Sequence, residues 1–292
     1  MDTPLSTAAP KIEVTRERPN VVVKSRGQTH GTITRLVSPG DIGQLIKPFV
    51  FLDRARLASN GNAFFGLHPH SGIATLTVVL QGGLEFQDST GASGQVPTGG
   101  VEWMRAGAGA WHDGRVYTSE SLRTFQLWLA LPAHLEHAPP ESRSIRADEI
   151  PSVGPARLIL GDYGDAHGPI DGPPNVNYLH VVLKDGETWT YTPPAGHTVG
   201  FVAVDKGVLD CGVDVDEGEV AVFEESDQAI TFVARGEASF VLGSAVKHPH
   251  DLVTGYYSVH TDPFALRKGE AEIQRVSRQL GRADNPRLSA SY

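Results

Sequence analysis

The 292-residue chain has one cysteine, Cys211, and only two methionines. A single thiol excludes an intramolecular disulfide and any multi-cysteine metal site, and it fits a reducing compartment. Basic residues are in the minority. Lys and Arg number 25 against 34 Asp and Glu, a formal charge of −9. A chain of that sign is poorly suited to direct contact with phosphate backbones, although a protein partner that itself binds DNA stays open. Long apolar runs are also missing. None approaches the roughly 20 residues of a membrane span. The first fourteen residues, with Asp2, Pro4, Pro10, Lys11 and Glu13, lack the apolar core of a signal peptide. The sequence predicts a cytoplasmic protein with no direct nucleic-acid or membrane partner.

What is abundant is punctuation. The chain holds 32 glycines and 20 prolines, set between short β-branched and aromatic runs. That pattern belongs to an all-β sandwich or barrel. Strands are expected at Ile73–Leu80, Leu84–Gln87, Val101–Met104, Thr124–Leu131, Tyr178–Leu183, Thr198–Val204, Glu219–Phe223 and Ala238–Leu242. Turns are expected at Gln81-Gly82-Gly83, Pro97 to Gly100 and Asp205-Lys206-Gly207. A polar linker from about Pro132 to Pro155 divides the chain into units of 20–140 and 146–280. The units read as loose copies, because strand, glycine turn and returning strand recur around Gly82 and Gly207. The expectation is two consecutive β-barrel halves. One helix closes the chain, with Asp262 as N-cap, Pro263 in the first turn, Leu266, Ile273, Val276 and Leu280 on one face, and Gly281 at its end. Gly269 marks a place where that helix could break.

The twelve histidines are the richest source of chemistry. His68-Pro69-His70 precedes a strand, and residues i and i+2 of an extended segment share a face. Two imidazoles a few ångströms apart are a natural pair of ligands for first-row metal ions. His112, which follows the glycine-rich run 106–110, is the candidate third ligand, since strands several hairpins apart can face each other across a barrel. The alternative is a loop that exposes both rings of the first pair.

The wider wording resembles the pirin family. His68-Pro69-His70-Ser71-Gly72, Gln81-Gly82-Gly83, Asp88-Ser89, Gly94, Pro97, Gly99, Val101, Trp103-Met104, Ala106-Gly107, Gly109, His112, Gln126-Leu127-Trp128 and Leu131-Pro132 carry the likeness. Pro48 to Asp53 and Gly255 to Thr261 extend it to about residues 20–280. The resemblance implies a bicupin: two tandem cupin β-barrels, with one divalent metal ion in the N-terminal barrel only. Iron is the first expectation, with nickel, manganese, zinc or copper as alternatives. The family's ligands are three histidines and a glutamate, matched here by His68, His70 and His112. The glutamate position, two residues after His112, is Gly114.

That departure implies a three-histidine site without its usual carboxylate. Asp113 is the candidate catalytic base. As the neighbour of His112 it points to the opposite face of an extended strand, unless a bulge turns it. Glu102 is a remote alternative that nothing in the sequence places in the cavity. The resemblance implies a quercetin 2,3-dioxygenase type of oxygenase acting on an aromatic or flavonoid molecule. The other reading is a non-catalytic regulatory protein with a protein partner. The second half reads as structural, because Pro193 and Ala195 fall opposite His68 and His70. His248-Pro249-His250 reads as a surface loop, His134 and His137 as solvated, His180 as packed or half-exposed within a strand, and Trp103, Trp111 and Trp128 as core or cavity wall.

Overall fold

The computed structural model describes residues 19–58 and 64–282. Two barrels follow one another, as expected. The first is built from two antiparallel sheets. One runs in the order Phe64–His70, Ala110–Val116, Gly83–Asp88, Ser93–Pro97. The other runs Glu141–Ile145, Val101–Arg105, Ile73–Gln81, Leu122–Ala130, Phe49–Leu57, Ile33–Val37, Gln28–His30. The second barrel is one large sheet centred on the long strands Val199–Asp210 and Ile230–Ala245. The first strand of the described chain, Val21–Ser25, joins this second sheet by pairing with Val220–Phe223. The polar stretch read as a linker is partly ordered: Glu141–Ile145 pairs with Val101–Arg105, and a single 3-10 turn covers Ala147–Glu149.

Strand alternation decides what each barrel can do. Side chains along a strand point to opposite faces. On the large sheet of the first barrel, Leu76, Val78, Val101, Trp103, Phe125, Leu127 and Leu129 face outward into a core shared with the second barrel. There they meet Tyr178, Phe201 and Val241, and Phe49 meets Phe201 edge-on at 5.0 Å. The alternate positions Thr77, Glu102, Thr124, Gln126 and Trp128 face inward and line a cavity. The second barrel is filled: Tyr191, Phe223, Phe232 and Phe240 pack inside it with Trp189 against them. Apolar area therefore closes the second interior, whereas polar residues keep the first one open to a ligand.

The expected turn at Asp205-Lys206-Gly207 is instead part of the continuous strand Val199–Asp210, kinked by register shifts on either side of Lys206. The shift buries Asp205. Its carboxylate lies 3.0 Å from the Arg123 guanidinium and 3.7 Å from those of Arg54 and Arg56, three cations from the other barrel.

The helix Pro263–Arg282 runs without a break. Asp262 caps it, accepting the N–H groups of Phe264 and Ala265 at 2.7 and 3.0 Å. These two bonds hold the Asp262 carboxyl below its usual range. At Gly269 the helix passes close to the ligand strand and the hairpin beside it, and a Cβ there would overlap His260 Nε2 and Ser71 Oγ. Gly269→Ala sets two effects against each other. Helix propensity favours alanine by about 1 kcal/mol, while overpacking a buried contact costs about 1–3 kcal/mol. The difference is a net loss of up to about 2 kcal/mol, expected from urea unfolding; an alanine variant that unfolds at higher urea would contradict this packing.

Among the described residues, no helix is long and apolar enough to cross a membrane.

Candidate metal centre

The register of two strands assembles the three histidines. Phe64–His70 pairs with Ala110–Val116 so that His112 stands directly opposite His68 and Ala110 opposite His70. His70 is two residues from His68 and so shares its face. All three rings converge by the same atom. His112 Nε2 lies 3.1 Å from His68 Nε2 and 3.2 Å from His70 Nε2.

The other ring nitrogens explain why. His68 Nδ1 faces the Gly66 carbonyl at 2.6 Å, His70 Nδ1 the Tyr257 carbonyl at 3.1 Å, and His112 Nδ1 the Glu102 carboxylate at 3.3 Å. An acceptor at Nδ1 holds the proton there and leaves the Nε2 lone pair free. Burial, reinforced by the neighbouring His112, pushes His68 down to about 3. Burial and both neighbouring imidazoles take His70 well below its ordinary value. Both rings are neutral at physiological pH, the form that binds metal. Three buried lone pairs aimed at one point repel unless a cation lies between them. Bonds of about 2.1 Å from one ion put two nitrogens about 3–3.4 Å apart, depending on the angle between the bonds; His112 Nε2 stands at 3.1 and 3.2 Å from the other two, and all three atoms lie within 4.8 Å of one another. The residues present therefore fit one divalent ion.

The ligand face opens on a cavity of about 490 Å³. One wall is aromatic. Phe51 and Trp128 stack at 3.9 Å with 5° between the planes, Trp128 meets His70 edge-on, and Tyr257 stands at the rim. The Arg35 guanidinium covers the outer face of Phe51 at 3.9 Å and pairs with Asp53, whose pKa burial raises against the pull of Arg35. Trp128 alone of the three tryptophans singled out above lines the cavity. Trp103 is in the inter-barrel core, and Trp111 points outward to a groove beside the C-terminal helix, its Nε1 donating to the Ile273 carbonyl at 2.8 Å.

The strand register shifts between His112 and Gly114, so that Gly114 lies opposite Phe65. Asp113 sits at this irregularity. It is buried and touches both the main cavity and an outer groove, and Gln87 Nε2 donates to its carboxylate at 2.9 Å. The carboxylate that meets the histidines is that of Glu102, which the structure places inside the cavity. Its signal was in the alternation: a glutamate between Val101 and Trp103, two core residues, must face the other way.

A second cluster escaped the sequence reading. After the second barrel the chain returns to the first, and the hairpin Val253–Gly255, Ser258–His260 seats against the ligand strand. Ser71 Oγ hydrogen-bonds Ser258 Oγ at 2.8 Å and His260 Nε2 at 3.0 Å. His260 Nδ1 faces Glu136 at 3.2 Å, and Glu136 also accepts from the N–H and the hydroxyl of Thr261. Gly72, with φ of 72°, lets the backbone pass this close, since a Cβ would meet the Val259 carbonyl and the His260 ring. Tyr257, whose carbonyl orients His70, sits at φ 51°, a conformation uncommon for an aromatic residue. His137, expected in solvent, is half-buried and stacks on His260 at 5.2 Å. His248, expected in a surface loop, is buried and faces the Leu131 carbonyl at 3.2 Å, while His250 is exposed. His180 packs as expected, 3.0 Å from Ser239 Oγ, and burial lowers it to about 4.

A family model described as Pirin matches residues 31–129. "Putative quercetin 2,3-dioxygenase PA2418" of Pseudomonas aeruginosa is 33% identical over 264 residues, covering 84% of this chain and 88% of that protein. The chain belongs to the pirin family. Among solved structures, a quercetin 2,3-dioxygenase from Acinetobacter baumannii superposes with a TM-score of 0.80 at 24% identity, over 88% of this chain and 97% of the other. The bacterial pirin YhhW of Escherichia coli, in complex with nickel(II), superposes with a TM-score of 0.62 at 23% identity, over 75% of this chain and 94% of its own. At these identities the likeness is one of fold, and the fold is the bicupin of the pirins.

Proposed function

We propose that this pirin is a metal-dependent oxygenase of the quercetin 2,3-dioxygenase type, with one divalent ion held by His68, His70 and His112. The observation that carries the reading is the convergence of three Nε2 atoms, each ring held at Nδ1 by an acceptor. When bound, the ion supplies Lewis-acid and redox chemistry toward oxygen donors and dioxygen. The set of nitrogen donors suits iron or nickel among other first-row ions.

The remaining work falls to the chain. The Phe51–Trp128 stack and Tyr257 offer a flat apolar wall to an aromatic ring system. Thr77, Thr124 and Gln126 supply polar groups along the floor. Asp113, held by Gln87, is the candidate acceptor for a substrate hydroxyl proton. The relatives' names support a flavonoid as the first substrate to test. Gly114 in place of the family's glutamate supports a second reading, a regulatory pirin that binds metal and a protein partner without turnover. Oxygen uptake with quercetin separates the two. Iron- or nickel-loaded protein is expected to consume oxygen faster than the free metal, and H68A/H70A is expected to match free metal. Uptake by the loaded wild type equal to that of free metal would sink the enzymatic reading.

A further inference from the structure

We propose that Glu102 takes over, from a different strand, the carboxylate function that this chain lacks at Gly114. It accepts the Nδ1 proton of His112 and sets one negative charge beside the three imidazoles. The proposal rests on the three-histidine metal reading and adds to it a positioning residue outside the histidine ligand set.

Three observations carry it. Glu102 is 3% exposed, and its carboxylate meets His112 Nδ1 at 3.3 Å while His112 Nε2 joins the convergent set. A carboxylate so placed raises the basicity of the ligand and fixes its tautomer and ring orientation. Second, a buried carboxylate costs several kcal/mol unless a cation compensates it. Arg35, which lines the same cavity, is paired with Asp53. An ion bound at the histidine face would supply the compensating cation for Glu102. Third, the strands are arranged for this transfer of role. Glu102 is held from both sides by backbone pairing, opposite Thr77 and Ser144, so its direction is set by the sheet. Gly114 lines the same cavity.

The position left bare can be refilled, which makes the idea testable. A Cβ on Gly114 would meet Leu84 Cδ1 at 3.2 Å and Phe65 Cδ2 at 3.7 Å, both side-chain ends, and the Glu85 carbonyl at 3.6 Å. The first atom of a side chain can therefore enter with a shift of a few tenths of an ångström, and Gly114 lines the cavity into which a longer one would extend. Four proteins are compared as whole chains: wild type, E102Q, G114E and E102Q/G114E. The probes are Ni(II) affinity by chelator competition, the visible spectrum of the Co(II) form, and the melting temperature without metal.

E102Q keeps an acceptor for His112 and loses the charge. It is expected to melt no lower than the wild type without metal, since it removes a buried charge, and to bind Ni(II) about 10–100-fold more weakly, the range for outer partners of metal-bound histidines. Adding G114E is expected to restore most of that loss and to change the Co(II) spectrum. Three results overturn the proposal. E102Q binding as tightly as wild type would show the charge to be idle. Weak binding by E102Q that G114E fails to rescue would reduce Glu102 to a structural residue. Absence of binding by wild type would remove the metal reading and the proposal with it, whereas the first two results leave the three-histidine site standing.

Discussion

Replacing His260 by alanine is expected to cost about 3 kcal/mol of stability, although His260 touches none of the three convergent histidines by hydrogen bond. The ring is 1% exposed and sits between Ser71 and Glu136. Its removal leaves a cavity and takes one partner from a carboxylate that is itself 4% exposed. Thr261 still donates twice to Glu136, so the carboxylate keeps partners and the cost is that of truncating a fully buried, hydrogen-bonded ring. A second consequence distinguishes this site from ordinary core. Ser71 directly follows His70, so loosening the network loosens the ligand strand. The variant should lose part of the metal-induced rise in melting temperature as well as intrinsic stability. Thermal melting with and without added nickel reads the first quantity, and urea unfolding the second. A change within about 0.5 kcal/mol, the range of an ordinary surface substitution, would mean that the network does not tie the C-terminal hairpin to the first barrel.

The largest functional effect is expected at His70. It is fully buried, its Nδ1 is held by the Tyr257 carbonyl, and its Nε2 faces that of His112. Changes to outer partners alone cost about 10–100-fold in metal affinity, so loss of a direct ligand should cost more than that. The effect is visible without turnover. Metal at about 100 times its Kd stabilises a folded protein by about 2.7 kcal/mol. His70→Ala should therefore abolish the thermal shift that nickel or iron gives the wild type. Because the truncation also leaves a hole, the comparison is made within each protein, with and without metal. A variant that keeps the full shift would remove His70 from the site.

The sequence and the structure agree where chemistry is local. His68 and His70 share a face because they are two apart on one strand, and the glycine-rich approach to His112 brings it across by a single antiparallel pairing. The barrels were legible from punctuated short strands, and the terminal helix from its cap and periodicity. What escaped reading depends on contacts between distant segments. The acceptor for His70 is a backbone carbonyl 187 residues away, which leaves no mark in side-chain chemistry. Gly269 reads as a weak point of a helix because propensity is a local quantity, yet it is required by a close approach to Ser71 and His260. Asp205 reads as a turn residue because aspartate, lysine and glycine favour turns, yet three arginines of the other barrel make it a buried anion. Glu102 lies between these cases. Alternation fixes its face, but only the fold shows that this face is the cavity.

Metal content tests the central claim most directly. Protein loaded with Fe(II) or Ni(II), freed of excess ion by gel filtration and measured by elemental analysis, is expected to carry one ion per chain. The H68A/H70A variant, treated identically, is expected to carry close to none. Equal metal in the two proteins, or none in the wild type after loading, would contradict a metal centre built on His68, His70 and His112.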